Sequence, residues 1–209
     1  MAQPESLAEL LNGRRAAVDA TLPALGFVAG WLVAGRSIWA GAGVAVACAI
    51  AVSVWRLRAG EKPRAVLIGL LGVCVAALIA LHTGRAEDFF LLQLLSNAAS
   101  ALVWAVSMVI RWPLLGLVVG AVLGQRTRWR RDPALLRAYC RAGWIWVLQY
   151  VIRVAVFLPL YAGGQVMGLA VARALLSWPL VAACLAVSWW VIRRSLPADH
   201  PGLRHPVAA

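Results

Sequence analysis

The sequence predicts an all-α, polytopic membrane helix bundle. It has six transmembrane helices, a short cytoplasmic amphipathic helix, and a re-entrant or interfacial helix near residues 113–124. Three observations lead there. The chain of 209 residues is 63% apolar, with a mean hydropathy of +0.81, and only 13% of it is charged; a soluble domain carries about a quarter charged residues. Apolar stretches of about 18–27 residues recur, which is the length that crosses a hydrocarbon core of about 30 Å at 1.5 Å per residue. The basic residues fall in short runs between those stretches, as the loops of a membrane protein require.

The elements follow in order. Residues 1–15 precede any span. Ser6 and Glu9 have the spacing of a capping box, and Leu7, Leu10 and Leu11 fall on one face of the helix it would start. Span one is expected over 16–34 with Pro23 inside it, a tight turn at Gly35–Arg36, and span two over 37–55. Span three covers 65–82, span four 89–110, span five 142–162 and span six 166–192. Pro113–Gly124 is apolar but too short to cross. It opens on a proline, which suits a first helical position. Trp178-Pro179 marks a kink in span six. The domain reading is an N-terminal surface segment (1–15), a six-span domain (16–192) and a flexible cytoplasmic tail (193–209).

Charge sets the expected orientation. With both termini in the cytoplasm, sixteen basic residues lie inside and only Arg36 and Arg85 outside; Arg153 and Arg173 are within spans. The tryptophans fit an interfacial belt, with Trp31 and Trp39 at the outer turn and Trp55, Trp112, Trp129, Trp144, Trp146, Trp189 and Trp190 at the inner boundary. Localisation in the cytoplasmic membrane follows. The net charge of +12 and pI of 11.3 are explained by these loops, so nucleic acid is not an expected partner. Cys48, Cys74, Cys140 and Cys184 form no CxxC pair, and two of the three histidines, His200 and His205, lie in the tail. No metal site and no cofactor are expected.

Polar residues inside the membrane are costly and therefore informative. Arg153 and Arg173 lie on spans five and six, each about 12–13 Å below the outer boundary by helical rise. A three-residue turn joins those spans, so the two guanidinium groups are expected in one layer. Asn97 reaches the same depth on span four, and Gln149 stands one turn from Arg153 on the same helix face. Glu87 and Asp88, at the outer mouth of span four beside Arg85, are the nearest acids by depth. The candidate polar cluster is therefore Arg85, Glu87, Asp88, Asn97, Gln149, Arg153 and Arg173. Guanidinium groups recognise phosphate, carboxylate or a lipid head group, and the same cluster would also serve as an internal salt-bridge network.

No Gly-rich phosphate loop, HExxH or Asp-rich diphosphate motif occurs in the chain, so no catalytic residue is assigned. The expected function is of transport or cell-envelope-maintenance type, with an anionic solute or lipid head group bound in an outer-facing polar layer. The expected partners are membrane lipids and that anion. Two alternatives stand beside it: a membrane-embedded enzyme acting on an anionic lipid or isoprenoid through Glu87 or Asp88, and a non-catalytic scaffold recruiting partners through 125–141.

Two stretches carry a family resemblance. His82-Thr83-Gly84-Arg85-Ala86-Glu87-Asp88-Phe89-Phe90, and Trp129-Arg130-Arg131-Asp132-Pro133 with Arg137-Ala138-Tyr139, resemble a family of actinobacterial integral membrane proteins classed as a domain of unknown function. The resemblance covers roughly residues 14–194 and carries no activity to transfer. Arg111-Trp112-Pro113-Leu114-Leu115, with Trp129 and Trp144, is more distantly similar to the intracellular septation protein A family. That similarity implies a role in envelope upkeep or division.

Overall fold

A computed structural model describes residues 12–60, 63–124 and 127–197. The elements are α1 (Asn12–Val33), α2 (Ile38–Arg58), α3 (Pro63–Thr83), a 3-10 turn (Ala86–Phe90), α4 (Leu91–Val109), α5 (Leu114–Val122), a second 3-10 turn (Arg128–Arg131), α6 (Pro133–Ala162), α7 (Val166–Leu175) and α8 (Trp178–Ser195). No strand occurs among the described residues. Among the described residues, five helical segments are long and apolar enough to cross a membrane: 38–58, 63–83, 86–109, 133–162 and 166–195; Thr21–Val33 is a shorter apolar stretch. The chain is thus a multi-pass membrane protein, and the expected count of six includes this shorter first stretch. The amphipathic segment expected over 1–15 lies, up to residue 11, outside the described residues, as does the tail beyond 197.

Several boundaries differ from expectation. Span five was expected from Ala142, but α6 starts at Pro133. Asp132 caps it: Oδ1 accepts from the backbone N–H of Ala134 at 3.0 Å and of Leu135 at 3.2 Å. Asp-Pro thus supplies an N-cap and a first helical residue that needs no N–H partner. Span six was expected as one kinked helix, but it is two helices broken at Leu176–Ser177. Pro179 offers no N–H to the carbonyl four residues back and crowds it. The segment expected as a helix over 113–124 is α5, only nine residues long. Arg193 and Arg194 belong to α8, which runs on to Ser195.

The described residues form two compact units, those up to Leu94 with Val156–Trp178, and Leu95–Ala155 with those from Pro179 onward. In the first unit α1 packs on α2, α2 on α3, α3 on the 3-10 turn, and α7 on both α1 and that turn. Small residues allow the α1–α2 approach. A Cβ on Gly30 would stand 2.8 Å from Val44 Cγ2 and 2.9 Å from the Ala40 carbonyl oxygen, and one on Gly26 would stand 2.9 Å from Cys48 Sγ. Gly41, Ala45 and Ala49 are buried on α2 at the same four-residue spacing. In lipid, where apolar surface gains nothing by leaving the solvent, such small-residue stripes hold helices together by close contact. Phe27 stacks on Phe89, with ring centroids 4.2 Å apart, and meets Phe90 edge-on, so α1 is also tied to the 3-10 turn.

The second unit has its own core of Leu115, Trp129, Leu135, Ala138, Tyr139, Ala142 and Ile192. Trp129 was expected at the membrane interface; it is 0% exposed and fills this core instead. Its ring meets Tyr139 edge-on at 5.6 Å. It also occupies the space beside Gly116, where a Cβ would come within 2.8 Å of it. Trp146, also expected at the boundary, stacks on Trp104 at 5.2 Å and donates its indole N–H to Ser188 Oγ at 3.1 Å. Trp112 is held under the Arg130 guanidinium, 3.7 Å from ring centroid to Cζ. The 127–133 segment therefore has a packed interior as well as its basic surface.

Candidate functional site

Of the seven polar residues singled out by sequence, Arg85, Glu87, Asp88 and Arg173 belong to the first unit, and Asn97, Gln149 and Arg153 to the second. Each unit has its own polar arrangement.

In the first unit the two acids are engaged within the turn that carries them. Gly84 takes φ +71° and reverses the chain after α3. Arg85 Nε donates to Glu87 Oε1 at 2.8 Å. That hydrogen bond, reinforced by the charges of Glu87 and then Asp88, holds the Arg85 guanidinium above its usual value. The Tyr161 hydroxyl of α6 donates to Asp88 Oδ1, and the Arg85 guanidinium lies 5.9 Å from the Tyr161 ring centroid. Asp88 is buried, so the tyrosine supplies a donor that lipid cannot. Tyr161→Phe is expected to cost about 1–3 kcal/mol, the usual penalty for stripping a buried acceptor of its donor. A melting curve in detergent reads it, and an unchanged midpoint would contradict this role.

Arg173 stands elsewhere in the same unit. It occupies the last turn of α7, where the helix end carries partial negative charge. It lines a cavity of about 170 Å³ with Pro23 of α1, Ser53 and Arg56 of α2, and Val66 and Gly69 of α3. Ser53 and Arg56 are three residues apart and so share a helix face. Two arginines and a serine thus line one hollow. A second hollow of the unit, about 410 Å³ between α6 and α7, is lined by Val156, Leu160, Met167, Val171 and Leu175 among others. It offers no polar group to orient a ligand.

In the second unit Gln149 and Arg153 are on α6 and Asn97 on α4. Asn97 and Gln149 are each 2% exposed, and Gln149 Oε1 is buried with no hydrogen-bond partner among the described residues. The Arg153 guanidinium lies 5.7 Å from the Tyr150 ring centroid.

Residues 11–199 match the family described as Protein of unknown function (DUF3159). The chain belongs to this family. No curated protein and no solved structure matches, and the similarity to the septation protein A family is not shown. The two stretches that suggested the DUF3159 family have identifiable physical work. One builds the Arg85–Glu87 and Asp88–Tyr161 turn with its Phe89 and Phe90 contacts, and the other inserts Trp129 and caps α6 through Asp132.

Sequence reasoning missed Arg56 and Ser53 as residues lining one hollow with Arg173, because Arg56 reads as one more loop charge. The available signal was Ser53 one turn before Arg56 on span two. Tyr161 was also missed, since a tyrosine near a span end ordinarily reads as an interface anchor.

Proposed function

We propose that this DUF3159 protein is a cytoplasmic-membrane protein of transport or envelope-maintenance type that holds an anion in the cavity of Arg56 and Arg173. The anion is a small solute or a lipid head group. One observation carries the reading: Arg56, Arg173 and Ser53 line a single hollow among α1, α2, α3 and α7. Arginine side chains suit this role because their N–H forks recognise carboxylate, sulfate or phosphate. The acid pair is occupied by Arg85 and Tyr161, which favours binding over acid–base chemistry at Glu87 or Asp88.

The excess of basic residues in the 56–64, 111–141 and terminal segments supports both termini being cytoplasmic. Arg56 would then open the cavity toward the cytoplasmic half, in place of the outer-facing layer expected from residue depth. Arg153, Asn97 and Gln149 would form a second polar patch of their own unit.

Ligands that bind only the folded state raise its melting temperature. Chloride, acetate, sulfate and phosphate, compared at equal ionic strength on detergent-solubilised protein, are expected to include at least one stabiliser. Its effect should vanish in Arg173→Gln. Equal melting temperatures for every anion in both proteins would refute the proposal.

A further inference from the structure

We infer that the basic end of the second unit is a binding surface for anionic phospholipid head groups, separate from the hollow of Arg56 and Arg173. Its arginines come from three elements: Arg130 on the second 3-10 turn, Arg137 and Arg141 on α6, and Arg193 and Arg194 on α8. All five are exposed. Trp129, Leu135, Ala138, Tyr139 and Ile192 of the same three elements share one core, so the charges are held at fixed spacing. Among the described residues of this unit Asp132 is the sole acid. It is buried, and its Oδ1 is spent on capping α6.

The contacts these arginines make within the chain leave most of their donors available. Arg130 Cζ lies 3.7 Å from the Trp112 ring centroid. Arg193 and Arg194 lie over Trp189 and Trp190, each at 4.8 Å. Attraction between a cation and a ring face consumes no hydrogen-bond acceptor, and the planar fork can still bond phosphate oxygens in pairs. Arg137 donates Nε–H to the Pro133 carbonyl at 3.1 Å, and Arg141 donates from Nη1 to Ser195 Oγ at 3.5 Å. A guanidinium carries five N–H donors, so each keeps the rest. None of the five makes an ion pair among the described residues.

Depth selects lipid as the partner. α6 has 30 residues, about 45 Å at 1.5 Å per residue, against a hydrocarbon core of about 30 Å. Part of it must therefore stand outside the core. The N-terminal part carries Arg137 and Arg141, whereas the last turn carries no charge. Trp144, a turn beyond Arg141, is exposed, as tryptophans in the head-group layer are. On α8 the order is the same, with Trp189 and Trp190 first and each arginine four residues beyond the ring it lies over. These arginines reach back along the helix toward the membrane, which sets their charge at the level of the lipid phosphates. A soluble polyanion would be better met by arginines extended away from the rings.

The test offers the full-length protein in detergent an equimolar mixture of phosphatidylglycerol and phosphatidylcholine and counts retained lipid by native mass spectrometry. The wild type is expected to retain phosphatidylglycerol in excess, on the order of tenfold. Joint substitution of Arg130→Gln, Arg193→Gln and Arg194→Gln is expected to abolish the excess. Lysine at the same three positions keeps the charge without the planar fork and is expected to leave an intermediate excess, which separates lost recognition from misfolding. Trp112→Leu with Trp189→Leu and Trp190→Leu is expected to reduce it while every charge remains.

Arg58→Gln with Arg64→Gln, at exposed arginines of the first unit, is expected to keep the excess. An equal loss there would show that net charge alone selects the lipid, and the site would fall. It would fall equally if the wild type held both lipids alike. Arginine-dependent capture of polyglutamate or single-stranded DNA, with no lipid preference, would assign the face to a soluble polyanion and overturn the inference. Arg173→Gln is expected to leave the excess unchanged, so this result and that of the anion hollow are read apart.

Discussion

Trp129→Ala is expected to destabilise the second unit by about 3–5 kcal/mol, the range for emptying a large aromatic from a packed interior. The residue is 0% exposed, lies against Gly116 and Tyr139, and shares a core with Leu115, Leu135, Ala138 and Ile192. It also closes the space between α5 and the capped start of α6, so the loss would free both elements. Thermal unfolding in detergent, followed by limited proteolysis in the 125–133 segment, reads the effect. A variant with wild-type melting and unchanged proteolysis would mean that Trp129 is the surface anchor the sequence suggested. Asp132→Ala, by comparison, removes a helix cap and is expected to cost about 0.5–2 kcal/mol.

Gly30→Leu carries the second large effect. A side chain there meets Val44 and the backbone oxygen of Ala40 inside 3 Å, and a backbone atom cannot swing aside. Overpacking of this kind costs about 1–3 kcal/mol even where side chains can adjust, and α1 would have to move off α2. Because Pro23 of α1 lines the arginine cavity, the substitution is expected to weaken anion binding as well as lower the melting temperature. Gly43→Leu on α2, where nothing lies within 4 Å, is the control, with both properties expected near wild type. Equal melting of the two variants would remove the small-residue account of α1–α2 packing.

How far the sequence could be read depended on the kind of information each feature needs. Long apolar runs report a membrane helix directly, because the bilayer demands length and leaves every backbone group to be satisfied within the helix. The five long segments, the short α5 and the turn at Gly35–Arg36, both with positive φ, were legible for that reason. The start of α6 was also present as Asp132-Pro133, but the dense arginines around it drew attention to charge and away from capping. The burial of Trp129 was not legible, since tryptophan beside arginine has the composition of an interface anchor. The helix break before Pro179 was half legible: proline fixed its place, while whether the chain kinks or stops depends on neighbours.

The polar residues show the same division. Depth along each helix was computable from 1.5 Å per residue, and it drew Arg153 and Arg173 toward Glu87 and Asp88. Rotation about the helix axis and the identity of the facing helix were not. The acids are met by Arg85 and by Tyr161, more than seventy positions downstream of Asp88. Arg173 shares a hollow with Arg56 and Ser53, more than a hundred positions upstream. Pairings at that separation have no local signal in a single chain.

The most direct measurement is a high-resolution density map of the protein prepared with the anion that most raises its melting temperature and again without it. The account predicts a feature bounded by Arg56, Arg173 and Ser53 in the first map and its weakening or loss in the second. A cavity filled in both maps by a carboxylate of the chain itself would contradict it.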